Sequence, residues 1–72
     1  MPKVNEGERA LFDWQFKMAG GFTTSLMEAI SKADGQNIRR MRKAFPEHVD
    51  AFVGFSSIVG YWDELKERVR GV

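Results

Sequence analysis

The chain has no cysteine, one histidine and two prolines in 72 residues. Without thiols, neither a disulfide nor a thiolate metal site can reinforce the fold. The single histidine, His48, stands beside Glu47 and Asp50 and lacks the further converging ligands that a zinc site requires. Ser56 and Ser57 lie about two helical turns further along, too far to be activated by a base at position 48. A glycine-rich phosphate loop is missing too, because Gly20-Gly21 follows a helical pattern rather than a strand and no lysine completes the motif. No acid, base, nucleophile or metal set assembles from these residues. The chain is therefore not expected to be an enzyme, to carry a cofactor or metal, or to take a small-molecule substrate.

Long apolar runs are also missing. The longest, Met18 to Phe22 and Ala51 to Phe55, fall far short of the roughly 18 residues of a membrane span. The N-terminal Met-Pro-Lys-Val-Asn-Glu-Gly-Glu-Arg lacks the basic start and apolar centre of a secretory signal. A soluble, cytoplasmic protein without a membrane partner is the expectation. Charge of one sign is scarce as well: 11 Lys and Arg against 10 Asp and Glu leave a net +1, which gives the whole molecule no strong pull on nucleic acid or anionic lipid.

What the chain does have is apolar periodicity. Leu11, Trp14, Met18, Phe22, Leu26, Ala29, Ile30 and Ala33 follow one another at helical spacing, and the phase survives Gly20-Gly21. A second file, Phe12, Phe16, Ala19, Thr23, Met27 and Ile30, runs beside it. The spacing predicts one long helix from about Glu6–Glu8 to Ala33, kinked or straight at the glycine pair. Two interior glycines cost about 1 kcal/mol each relative to alanine. The alternative is a break there and a restart at Ser25-Leu26-Met27-Glu28, whose spacing matches a capping box. If the helix is continuous, Gly20 and Gly21 form a notch open to a close neighbour such as Trp62.

Asp34-Gly35 ends that helix, and Asp34 caps a second one from Gln36 to about Ala44, with Ile38, Met41 and Phe45 on one face. Pro46 stops it and starts a third helix to about Ser56, with Val49, Phe52 and Val53 inward. After a short loop from Ser57 to Gly60, a fourth helix runs from Tyr61 to about Arg70. It buries Trp62, Leu65 and Val69 and exposes Asp63, Glu64, Lys66, Glu67 and Arg68. The expected fold is all-α: a single 1–72 domain in which three short helices pack one long N-terminal helix, with residues 1–5 flexible. A chain this size buries only about 60% of its unfolded surface, so packing or self-association must hold it.

Two constellations stand out as surfaces. Arg39, Arg40, Arg42 and Lys43 make a basic ridge opposite Ile38, Met41 and Phe45, suited to phosphates or to an acidic protein surface. Asp34, Glu47 and Asp50 lie close enough to neutralise part of it, and a plain solvated face is the simplest account. The third helix, Pro-Glu-His-Val-Asp-Ala-Phe, presents acids and apolar groups and is a poor reader of a DNA groove. The other constellation is a surplus of apolar residues beyond what one small core can hide: Phe12, Phe16, Met27, Phe55, Ile58 and Val59. Patches of that kind mark interfaces.

At Gly20-Gly21-Phe22, Ala33-Asp34, Phe45-Pro46-Glu47 and Gly60-Tyr61-Trp62 the chain resembles small helical proteins encoded in bacteriophage and prophage genomes. The resemblance implies a mobile-element origin and a bacterial cytoplasm, and it assigns no catalytic residue. The function expected is a non-enzymatic protein–protein interaction module that forms a homo-oligomer or binds a host or phage protein. The alternative is a nucleic-acid-binding accessory protein working through the ridge.

Overall fold

A computed structural model describes residues 4–71, and among these every regular element is helical. The helices are α1 (Glu6–Gln15), α2 (Gly21–Lys32), α3 (Gly35–Ala44), α4 (Pro46–Ser57) and α5 (Tyr61–Val69). The all-α expectation holds, but the long N-terminal helix does not: it is two helices of 10 and 12 residues. Of the segment expected to be flexible, residues 1–3 lie outside the described residues. Asn5 is the N-cap of α1 and Val4 packs against the core.

The break has a local cause upstream of the glycines. Lys17 sits in the left-handed region at φ 59°. Its amide donates to the Trp14 carbonyl at 3.0 Å, and the Met18 amide donates to the Asp13 carbonyl at 2.7 Å. That pair of bonds is a Schellman stop, which satisfies the last carbonyls of α1 and turns the chain out. Gly20 then serves as N-cap of α2, its carbonyl accepting the Thr24 amide at 2.9 Å. The Ser25–Glu28 capping box is not used. The box that forms is at the start of α1, where the Glu8 amide donates to Asn5 Oδ1 at 2.7 Å and the Asn5 amide to Glu8 Oε1 at 3.0 Å.

Because α2 is a separate helix packed on α1 and α4, only part of the expected stripe, Leu26 and Ile30, turns inward on it. Met27 and Ile30 are fully buried, whereas Met18 and Phe22 are 60% and 70% exposed. The core is closed by Ala10 and Leu11 of α1, Leu26, Met27 and Ile30 of α2, Val49 and Ala51 of α4 and Leu65 of α5. Helix α4 presents Val49, Ala51 and Gly54 inward, and Val53 turns toward solvent.

The joints further along the chain follow their sequence signals. Asp34 caps α3 by accepting the Asn37 amide at 2.9 Å, and Pro46 occupies the first turn of α4. Gly60, at φ 84°, makes the left-handed turn into α5. Helix α3 packs chiefly on α4 and buries none of its residues fully.

Two glycines admit close neighbours, and neither is in the Gly20-Gly21 pair. A Cβ at Gly7 would run into the backbone of Glu47 and His48, so α1 and α4 cross backbone to backbone there. A Cβ at Gly54 would stand 2.7 Å from the Tyr61 ring. At Gly20 and Gly21 nothing lies within 4 Å, which removes the expected notch. No described helix is long and apolar enough to cross a membrane.

Candidate functional site: an aromatic face around Trp62

Trp62 opens the first turn of α5, and there it meets rings from two other helices. Phe12 of α1 and Phe16 at its C-cap are 4.7 Å from each other and 6.0 and 5.9 Å from Trp62. Phe55 of α4 meets Trp62 edge-on at 5.5 Å. Phe52 and Trp14 extend the row, with Phe52 6.3 Å from Phe55 and 6.3 Å from Trp14. Offset and tilted contacts at these distances are the favourable geometry for rings whose faces are negative and edges positive.

The row does not close over. Phe16 is 48% exposed, and the α4–α5 turn carries Ile58 at 59% and Val59 fully in solvent. An open groove of about 380 Å³ runs between this turn and Trp62, lined by Phe55, Ile58, Val59 and Asp63 among others. Cations stand at the edges: the Arg9 guanidinium lies 5.7 Å over Phe12, and Lys66 Nζ lies 5.6 Å over Trp62 while pairing with Asp63 at 3.3 Å. An apolar centre with a charged rim is the anatomy of a protein-binding surface.

Five of the six residues expected at an interface, Phe12, Phe16, Phe55, Ile58 and Val59, therefore lie on or beside one face. The sixth, Met27, is a core residue. Trp62, expected in the core or near the glycine pair, is the half-buried hub that joins the others. Its neighbours at Phe12 and Phe55 come from other helices, so helical spacing within α5 carried no signal of that role.

The face is held in place by a polar clamp behind it. The Arg68 guanidinium donates to both oxygens of Glu8, Nη2 to Oε2 at 2.6 Å and Nη1 to Oε1 at 3.2 Å, and the Tyr61 hydroxyl donates to Oε2 at 3.4 Å. Arg68, expected to be exposed, is thus partly buried against α1. Burial on its own pushes the Glu8 carboxyl up. Hydrogen bonds from Arg68 and the Asn5 amide, the Arg68 charge and the Tyr61 bond outweigh it, and Glu8 is held below 4.5. Burial first, and then the Glu8 charge, pushes the Tyr61 hydroxyl above 10.0. The Glu8 hydrogen bond raises Arg68 further.

The basic ridge is intact as a surface. Arg39, Arg40, Arg42 and Lys43 are all exposed; Arg42 Nε pairs with Asp50 Oδ1 at 3.1 Å, and Arg40 Nη1 donates to Asn37 Oδ1 at 3.3 Å. His48 is half-buried and meets Phe45 edge-on at 5.5 Å. Among the described residues no three acidic or histidine side chains converge on a metal position.

No known protein family, curated protein or solved structure matches the chain.

Proposed function

We propose that the protein is a small non-enzymatic interaction module whose working surface is the aromatic face around Trp62, and that it self-associates through that face. The observation that carries the reading is the exposure of Phe16, Ile58 and Val59 beside a ring cluster already packed at contact distance. Aromatic anchors with a charged rim favour a protein partner over a small ligand, since the groove beside Trp62 is open rather than enclosed. A stable interface needs about 800 Å² per partner, roughly a sixth of this molecule's 4851 Å² surface. The phage resemblance adds a setting, a bacterial cytoplasm with a host or phage protein as a further partner.

Light scattering at tens of micromolar tests the reading. The wild type should exceed the 8.2 kDa of one chain, and Val59→Glu should lower that mass substantially with an unchanged helical spectrum, because the Val59 side chain already stands in solvent. A wild-type mass of one chain would refute self-association. Ridge-mediated binding of nucleic acid, the second reading, predicts steeply salt-dependent affinity that Val59→Glu leaves untouched.

A further inference from the structure

A second surface lies where α2, α3 and α4 meet, separate from the Trp62 face. Phe22, 70% exposed, stands 6.1 Å from Phe45. With Thr23, Ala44, Pro46 and His48 these rings line an open groove of about 430 Å³, and Glu6 and Glu47 are its two carboxylates. Both acids are exposed, and among the described residues neither makes an ion pair.

Beside the groove runs α3. It contains no acid at all, and it sets Arg39 and Lys43 four residues apart and Arg40 and Lys43 three apart. Like charges at those spacings weaken a helix. No residue of α3 is fully buried to offset that cost. Arg42 is engaged by Asp50, but among the described residues Arg39, Arg40 and Lys43 reach no carboxylate. Arg40 lies one turn before Ala44 on the same side of the helix, so the basic face leads up to the edge of the acidic groove.

We propose that this composite surface is self-complementary: the α3 ridge of one copy docks in the groove of a second, and the second returns the same contact. Arg39, Arg40 and Lys43 of each copy then face Glu6 and Glu47 of the other, with a guanidinium over the exposed Phe22 ring. A two-fold arrangement of this kind needs both signs of charge side by side on one patch, which the adjacency of ridge and groove supplies. An extended polyanion fits less well. The net charge is only +1 while the ridge contributes four cations, so the remainder of the molecule is net acidic, with Asp34, Glu47 and Asp50 close to the ridge itself.

The contact is independent of the Trp62 face, and the test separates them. In Val59→Glu protein, which lacks the apolar contact, sedimentation equilibrium should show a residual self-association that disappears as NaCl is raised to about 1 M, where screening acts within about 3 Å. Arg39→Glu with Lys43→Glu should weaken it by about tenfold or more, and so should Glu6→Lys with Glu47→Lys. An equimolar mixture of the two variants should associate more tightly than either alone, because each supplies the charge the other lacks. Circular dichroism checks that the variants are folded, and Glu47→Gln with Glu6→Gln replaces the lysine pair if that one is not. Association indifferent to salt and to these changes, or no gain on mixing, would overturn the proposal. Binding of a random single strand or duplex more tightly than the self-contact, lost in Arg39→Glu with Lys43→Glu, would also overturn it and assign the ridge to nucleic acid.

Discussion

At the scale of single residues, glycines divide by what their missing Cβ leaves room for. Gly7 is required because α1 and α4 touch backbone to backbone there, and a backbone cannot step aside as a flexible side chain can. Gly7→Ala should therefore cost about 2–3 kcal/mol, even though alanine is the better helix former by about 1 kcal/mol. Gly21→Ala meets nothing within 4 Å and has ordinary helical geometry, so it should be neutral or stabilising by up to about 1 kcal/mol. Urea denaturation of both variants checks the contrast, and a destabilised Gly21→Ala would restore the idea of a close neighbour at the glycine pair. The sequence marks Gly20-Gly21 as the special pair because two adjacent glycines are conspicuous. A lone Gly7 at a helix crossing leaves no such mark, since its partner lies forty residues away in a different helix.

At the scale of elements, the legible joints were those with a local chemical signal. Asp34 before α3, Pro46 opening α4 and Gly60 before α5 each act through groups within a few residues, and each helix they bound is where its pattern puts it. The α1–α2 break is different because its stop residue is Lys17, a side chain seldom found at positive φ. The apolar phase continued through the loop, which made two helices read as one and turned Met27 outward in expectation. Lys17→Gly should stabilise the protein by about 1 kcal/mol, because glycine takes the left-handed position without the Cβ clash. Thermal unfolding reads this directly, and a destabilised Lys17→Gly would mean that the lysine side chain itself holds the turn.

The clamp between α1 and α5 was hidden for another reason: Glu8 and Arg68 are 60 residues apart in sequence. Arg68→Ala should cost about 2–3 kcal/mol, the usual range for a charge-assisted hydrogen-bond pair that loses one partner. Glu8 ionises more readily in the folded chain than in the unfolded one. Its contribution is therefore complete at neutral pH and is lost as pH falls below 4.5 and through the lower folded value. Tyr61 has the opposite sign: its raised pKa gives stability that is present below pH 10.0 and lost as pH climbs through the higher folded value. Denaturation at stepped pH should show the acid-side loss in the wild type and a shallower one in Glu8→Gln.

At the scale of the whole molecule, the surplus of apolar side chains is a question of stability as much as of recognition. A 72-residue chain without a disulfide has a thin core, here eight buried apolar residues among those described. The same chain leaves Phe16, Ile58 and Val59 in water beside Trp62. If that face is covered by a second copy, the folded state gains stability with concentration, because association binds the native form and not the unfolded one. With unfolding enthalpies near 0.7 kcal/mol per residue, the midpoint of thermal unfolding should rise by about 3–5 °C for each tenfold increase in protein. Val59→Glu should flatten that dependence without lowering the midpoint at high dilution, since Val59 touches nothing in the isolated chain that a carboxylate would disturb. Salt distinguishes the two surfaces in the same measurement. The Trp62 contribution should persist or grow in high salt, while any part owed to the α3 ridge should fade. A midpoint independent of concentration across two decades would show that the aromatic face stays open in solution and that the chain is stable without a partner.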